Sequence, residues 1–335
     1  MRFLFPLLSF KKHGGVRTLS LLMNGLAERG HEVYLVVPED TYEEFYELNP
    51  GVKKIFTPPR RRNPISVLLT LLHLFTKAPP ADFVVVSFFP TYFPALLHKS
   101  LKKSKLVYYI QDAEQLFYPF PFSLIASITH LLPADLILCV STWVKNKTVR
   151  RCKILNPPID EAFHSMPFQC SKNLSHIALT FRWDKRKGPE LARRILLNPK
   201  FKEFEFFVAG QDPEVGNPNV HYLGNLKTEE LIKVYDHSAF FLLTSKFEGF
   251  GLPPLEAMAR GCIPISFTKT GPLDYIAHGK NGFFVEKEDK LYEILKTLSQ
   301  NPEKVSELSR NCITTAKQFT AERFLREFES SLSLS

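Results

Sequence analysis

The strongest constraint on this chain is a rhythm that runs twice. Short apolar runs alternate with amphipathic stretches. "RFLFPLL" and "EVYLVVP" read as buried parallel strands. Between them "VRTLSLLMNGLAERG" spaces Leu19, Leu22, Met23 and Leu26 on one helix face, with Gly30 after its end. "DFVVVSFF" (82–89), "KLVYYIQD" (105–112) and "ADLILCVS" (134–141) continue the strand series. Strand, helix, strand in repetition predicts a doubly wound parallel sheet. The prolines of "ILNPPID" (154–160) break the pattern, and a polar stretch runs on to Asn173. The rhythm then restarts with the strands "HIALTF", "FEFFVAG", "VHYLG", "AFFLLTS" and "CIPISF", separated by the helices "PELARRILLN", "TEELIKVYDHS" and "PLEAMARG". The expectation is α/β class, with two Rossmann-like domains over 1–165 and 172–335.

Length and composition allow this. A chain of 335 residues, 44% hydrophobic and 23% charged, can bury two ordinary cores. The longest apolar run, "ISVLLTLLHLF" (65–75), has eleven residues and is too short to span a bilayer. "MRFLFPLLSF" has no small-residue cleavage site and reads as a first buried strand rather than a signal peptide. Cys139, Cys152, Cys170, Cys262 and Cys312 are scattered and odd in number. They suggest neither a metal site nor a disulfide framework, and so a reducing, cytoplasmic setting. The basic excess lies in the first half, where residues 1–170 hold 20 Lys and Arg against 13 Asp and Glu. "RRR" (60–62), "KKSK" (102–105) and "KNKTVRRCK" (145–153) carry much of it. An anionic membrane surface or an acidic substrate would suit such a face, as would plain solvation.

In open parallel sheets ligands bind beyond the carboxyl ends of the strands. The most informative loop there is "KFEGFGLPPLEAMARG" (246–261). Gly249 and Gly251 let backbone approach a ligand, and Pro253 and Pro254 fit a helix's first turn. A helix start favours phosphate. Glu248 precedes the turn and Glu256 lies one turn into the helix. Carboxylates of this kind accept paired hydrogen bonds from vicinal hydroxyls. The pattern predicts a site for a ligand carrying phosphate and sugar hydroxyls; an acidic pair complementing the helix dipole is the other reading.

"EGFGLPPLEAMARG", then "IPIS", then "GPLDYIAHGKNGFFV", resembles the carboxyl-terminal signature of the retaining glycosyltransferases of GT-B fold, family 4. "GGVRTLSLLMNGLAERGHEVYLVV", "ADLILCVSTWVKN", "ILNPPID" and "TFRWDKRKGPEL" resemble further landmarks of that family, in its order. The resemblance implies two Rossmann-like domains facing across a cleft, with the last helix packing back on the first domain. It implies that Glu256 binds the nucleotide ribose. Glu248 would hold the donor sugar, with the amides of Gly249, Phe250, Gly251 and Leu252. Arg182 and Lys187 would neutralise the diphosphate. Gly14 and Gly15 would let the first loop approach the phosphates, and Asn225 and Leu226 would lie by the base. The partners implied are a nucleotide sugar and a saccharide or lipid-linked acceptor. No metal or other cofactor is expected, since no Asp-x-Asp lies on a likely cleft loop and two cations with a helix end can stabilise the leaving group.

This sequence departs from the family in two places. Phe181 stands where glycine often precedes the phosphate arginine. "YYIQDAEQLFYPF" offers Gln111 and Asp112 where many members have a histidine. Asp112 is expected to orient the acceptor hydroxyl or donor sugar; a strand-end cap is the alternative. His13 is a further candidate contact. "SFFPTYFPALL" (87–97) and "FYPFPF" (117–122) put aromatics and prolines on expected first-domain loops, which, with the basic excess, suggests a membrane surface; aromatic core with loop-stiffening prolines is the other reading.

Other classes fit less well. "KKHGGVR" lacks the G-x-G-x-x-G of a nicotinamide enzyme, and no nucleic-acid-binding module is recognisable. An epimerase-type enzyme of the same fold and a catalytically silent nucleotide-sugar binder remain alternatives; turnover separates the silent binder.

Overall fold

The computed structural model describes residues 1–59, 69–73, 76–148, 152–166 and 172–333. Arg60–Arg62, Arg150, Arg151, Cys170 and part of the 65–75 run lie outside them. The chain divides into two compact units, Met1–Pro158 with Ala321–Ser335, and Ile159–Thr320.

The first unit holds seven parallel strands: β1 (Arg2–Pro6), β2 (Glu32–Pro38), β3 (Val52–Thr57), β4 (Phe83–Val86), β5 (Lys105–Ile110), β6 (Leu136–Cys139) and β7 (Lys153–Ile154). Their order is β3-β2-β1-β4-β5-β6-β7. Helix α1 (Gly14–Glu28) joins β1 to β2. Helices α2 (Phe89–Lys102), α3 (Phe122–Thr129) and α4 (Thr142–Lys147) follow β4, β5 and β6. Right-handed crossovers put α1 on one sheet face and α2 to α4 on the other. The central strands are apolar on both faces, as a covered parallel sheet requires. The edge strand β3, "VKKIFT", was not expected. Its two lysines suit an edge that must not pair further.

The second unit begins with α5 (Ala162–Ser165) and carries β8 (Asn173–Phe181), β9 (Glu205–Gly210), β10 (Val220–Gly224), β11 (Ser238–Leu243), β12 (Ile263–Ser266) and β13 (Phe283–Phe284). All pair in parallel, in the order β10-β9-β8-β11-β12-β13. Its remaining helices are α6 (Pro189–Leu197), α7 (Thr228–His237), α8 (Leu252–Ala259), α9 (Glu288–Ser299) and α10 (Pro302–Ala316). The terminal helix α11 (Ala321–Leu332) belongs to the first unit. There Arg29 pairs with Glu322 at 2.7 Å and also with Glu329, and the Leu325 side chain sits where a Cβ on Gly25 would be.

The first unit ends at Pro158 rather than 165. The segment after it is tied to the second unit by a buried guanidinium. Arg260 donates to Asp236 at 2.8 Å through two nitrogens and to the carbonyls of Phe163 and Met166. Such a pair is tolerated in a core only because every partner is satisfied.

Two further expectations are corrected. Most of the 87–97 segment is not a loop: from Phe89 on it is the first part of α2, with Pro90 in the opening turn, where no N–H is needed, and Pro94 inside the helix. The cysteines are not all unpaired. Cys139 ends β6, Cys152 precedes β7, and the two are disulfide-bonded with Cα atoms 6.2 Å apart. Strand adjacency brings them together, and a separation of 13 residues carries no signature of that. Cys262 and Cys312 are buried and free.

Candidate functional site

In the second unit the strand order reverses between β8 and β11, the switch point at which an open sheet leaves a crevice. The loops following these two strands supply the expected residues. After β8 the chain passes Arg182 and makes a short turn at Lys185–Lys187. Asp184 caps that turn at the Arg186 N–H and binds the Arg186 guanidinium. Arg186 is therefore held locally, and Arg182 stands exposed. Gly188 follows with φ 65°, and a Cβ there would meet the Thr244 carbonyl at 2.1 Å. Only glycine lets the two loops close this tightly.

The result is that Lys187 Nζ lies 2.8 Å from both carboxylate oxygens of Glu248. Glu248 is 8% exposed. Its Oε1 also accepts from the Ser245 hydroxyl at 2.6 Å, and its own N–H donates to Thr270 Oγ1 at 2.9 Å. The Thr268 and Thr270 hydroxyls are 3.0 Å apart, and the Gly271 N–H donates to the Glu248 carbonyl. Glu248 is thus fixed from both its side chain and its backbone. A carboxylate offers about four lone-pair directions. Three are used here, leaving room for a ligand hydroxyl. An ammonium has three donors, so Lys187 keeps one for an anion without releasing Glu248.

The turn between the glutamates is anchored from below. Phe250 is buried against Tyr275 and Phe319, so only its backbone faces a ligand. Gly251, with φ 87°, starts α8, and its carbonyl accepts from the Tyr275 hydroxyl at 2.5 Å. Glu256 is buried one turn inside α8. The Tyr275 phenol is pushed well above its ordinary pKa by burial, and next by the charges of Glu248 and Glu256, so both carboxylates bear on one hydroxyl. Leu252 is half-buried. Asn225 is exposed and Leu226 half-buried after β10, at a separate edge of the same sheet. Ser245, Thr270 and Tyr275 were missed by sequence reasoning. A serine three residues before Glu248 was the one readable signal.

The first unit gathers a second polar set at its own switch point, between β1 and β4. Gly14 and Gly15 are not in a free loop, as expected, but form the first turn of α1. His13 caps that turn, its Nδ1 accepting from the Gly15 N–H at 3.3 Å. Gln111 Nε2 donates to the Gly15 carbonyl at 3.1 Å. Asp112 follows β5 and accepts from the Ala113 N–H. Two residues on, Glu114 was overlooked. It is buried and accepts the Phe89 N–H at the start of α2. Burial, reinforced by the charge of Asp112, raises its pKa to about 8. Among the described residues no group of three or more His, Cys, Asp or Glu is placed to hold a metal ion.

Each unit is thus an open, doubly wound parallel sheet, and the second carries a carboxylate–ammonium pair and a second acidic residue at its switch point. Two family patterns match the chain, "Glycosyltransferase Family 4" over residues 13–160 and "Glycosyl transferases group 1" over residues 186–319. The chain belongs to the glycosyltransferases of GT-B fold. HepE from Anabaena, solved with UDP-glucose, superposes with a TM-score of 0.76 over all of both chains at 16% identity, which establishes the fold. A probable sucrose-phosphate synthase of Thermosipho melanesiensis is 29% identical over 161 residues, 47% of this chain and 37% of that one. The alpha-monoglucosyldiacylglycerol synthase of Acholeplasma laidlawii is 30% identical over 120 residues, 36% of this chain and 30% of that one. The chain therefore spans about a third of the length of these curated relatives.

Proposed function

We propose that the chain moves a sugar from a nucleotide sugar to a saccharide or lipid-linked acceptor, without a metal ion and with retention. The observation that carries this is the Lys187–Glu248 pair at the β8/β11 switch point, with Glu256 buried eight positions further on. Glu256 binds the ribose hydroxyls. Glu248, with the backbone from Gly249 to Leu252, receives the sugar. Arg182 and the spare donor of Lys187 take the diphosphate, and the Asn225–Leu226 turn takes the base. Gly14 and Gly15 leave space for phosphate, and Asp112 orients the acceptor hydroxyl.

The bond between the anomeric carbon and the diphosphate oxygen breaks, and its electron pair leaves with the phosphate. The acceptor oxygen bonds to the same carbon, and its proton passes to the departing phosphate oxygen, so no separate general base is needed. Cations fixed beside the leaving group stabilise charge as it develops. The UDP-glucose held by HepE supports a UDP-hexose as the first donor to test. The glucosyldiacylglycerol synthase among the relatives supports a lipid acceptor and glycolipid assembly; cell-surface polysaccharide assembly and a place on the cytoplasmic face of a membrane belong to the same proposal. No helix among the described residues is long and apolar enough to cross one.

The test is nucleoside diphosphate release from a panel of sugar nucleotides in EDTA, with and without acceptor. Release with formation of a glycoside of unchanged anomeric configuration supports the proposal. Binding without release favours a silent binder, and an altered sugar nucleotide favours an epimerase.

A further inference from the structure

We propose that the outward faces of α2 and α3 dock on an anionic lipid bilayer; this rests on the lipid-linked acceptor reading above. Ten of the twenty large apolar side chains exposed among the described residues fall between Phe93 and Leu131, so exposure is concentrated rather than scattered. On α2 they are Phe93, Leu97 and Leu101, four apart and so in one stripe, with Leu101 70% exposed. On α3, beyond its first residue Phe122, they are Leu124 and Ile128, continued by Leu131, again in one stripe. The two helices pack side by side on the same sheet face. Phe120 and Phe122, 79% and 53% exposed, extend the patch at the sheet's carboxyl edge, the edge that carries Gln111 and Asp112.

This surface differs from an ordinary solvated one in charge as well as shape. Residues 115–134 contain no Asp, Glu, Lys or Arg, and α2 contains no acidic residue. The nearby charges are mostly basic, with Asp82 and Asp135 the exposed acidic residues at that end. Lys99, Lys102, Lys103 and Lys105 gather at the far end of α2, where Lys103 and Lys105 are exposed; Lys99 is paired with Asp135. Contiguous apolar surface of this size marks an interaction site. An apolar face with an excess of lysine at one end suits the anionic headgroup boundary of a bilayer. Docked by these two stripes, the first unit would bring its carboxyl edge down to the membrane, where a lipid-anchored acceptor lies.

The experiment is co-sedimentation of the full chain with vesicles of phosphatidylcholine alone and of phosphatidylcholine with 30% phosphatidylglycerol, at low and high salt. The expected result is binding to the anionic vesicles that salt weakens. It should fall at least ten-fold in Leu97→Gln/Leu124→Gln and several-fold in Lys103→Glu/Lys105→Glu. These side chains are exposed, so circular dichroism and diphosphate release with a water-soluble acceptor should stay as in the wild type. Failure to sediment, equal binding to uncharged vesicles, or binding untouched by the leucine pair would overturn the proposal. So would a dimer in solution that the leucine pair dissociates while vesicles are ignored. Loss of diphosphate release in the wild type would instead sink the transfer reading, since sedimentation needs no donor.

Discussion

Lys187 and Glu248, 61 residues apart, meet with the ammonium 2.8 Å from both carboxylate oxygens. The pair closes the loops after β8 and β11 over one switch point. Lys187→Ala should lower kcat by about 10²-fold, the usual cost of removing one fixed donor from a developing anion, and change the nucleotide Kd far less. Steady-state kinetics beside nucleotide titration checks this. Glu248→Gln combined with Lys187→Ala should cost less than the sum of the single losses, because the two side chains act as a unit.

Gly188 is what lets that pair form. Its φ of 65° and the 2.1 Å approach of a Cβ to the Thr244 carbonyl leave no space for alanine. Gly188→Ala should destabilise the second unit by roughly 1–3 kcal/mol, lowering Tm by several degrees. A thermal melt that matches the wild type would refute the closure.

Glu114 should make stability pH-dependent. Its folded pKa is raised from 4.5 to about 8, mainly by burial, so the native state holds a proton that the unfolded chain releases. Stability from this group is full below pH 4.5 and falls as pH rises to about 8, by at most roughly 1.4 kcal/mol per unit. His130, pushed down to about 4 by burial, acts in the opposite sense on the acid side. Urea unfolding of wild type and Glu114→Gln at pH 5 and pH 8 separates them. The variant should gain relative to wild type at the higher pH.

The sheet of each unit was readable because buried parallel strands announce themselves as apolar runs. The edge strand β3 escaped notice because its lysines hide the run. Helix α2 was taken for a loop because Pro90 and Pro94 outweighed a stripe at helical spacing. At the site, the two glutamates stood out by their place around the glycine turn, and Lys187 was singled out only through the family resemblance. Thr270 and Glu114 were not legible, because their roles depend on which loops the strand order brings together, whereas Ser245, three residues before Glu248, could have been read. That Asp184 holds Arg186 was not readable, because it depends on the turn the loop makes.

The Cys139–Cys152 bond predicts three titratable thiols in the denatured, unreduced protein, from a total of five cysteines. Reduction should raise this to five. A loop of this length makes the bond worth on the order of 3 kcal/mol, so reduced protein, or Cys139→Ser/Cys152→Ser, should unfold at lower urea. Five thiols without reductant would contradict the pairing.

The central claim is that the glutamate-bearing loop binds a nucleotide sugar. The direct measurement is calorimetric titration of UDP, GDP, dTDP and their common sugar derivatives, in EDTA, into wild type and Glu256→Ala. The account predicts binding of one nucleotide class without metal, weakened at least ten-fold in the variant. Binding of none by the folded wild type, or equal binding by the variant, would contradict it.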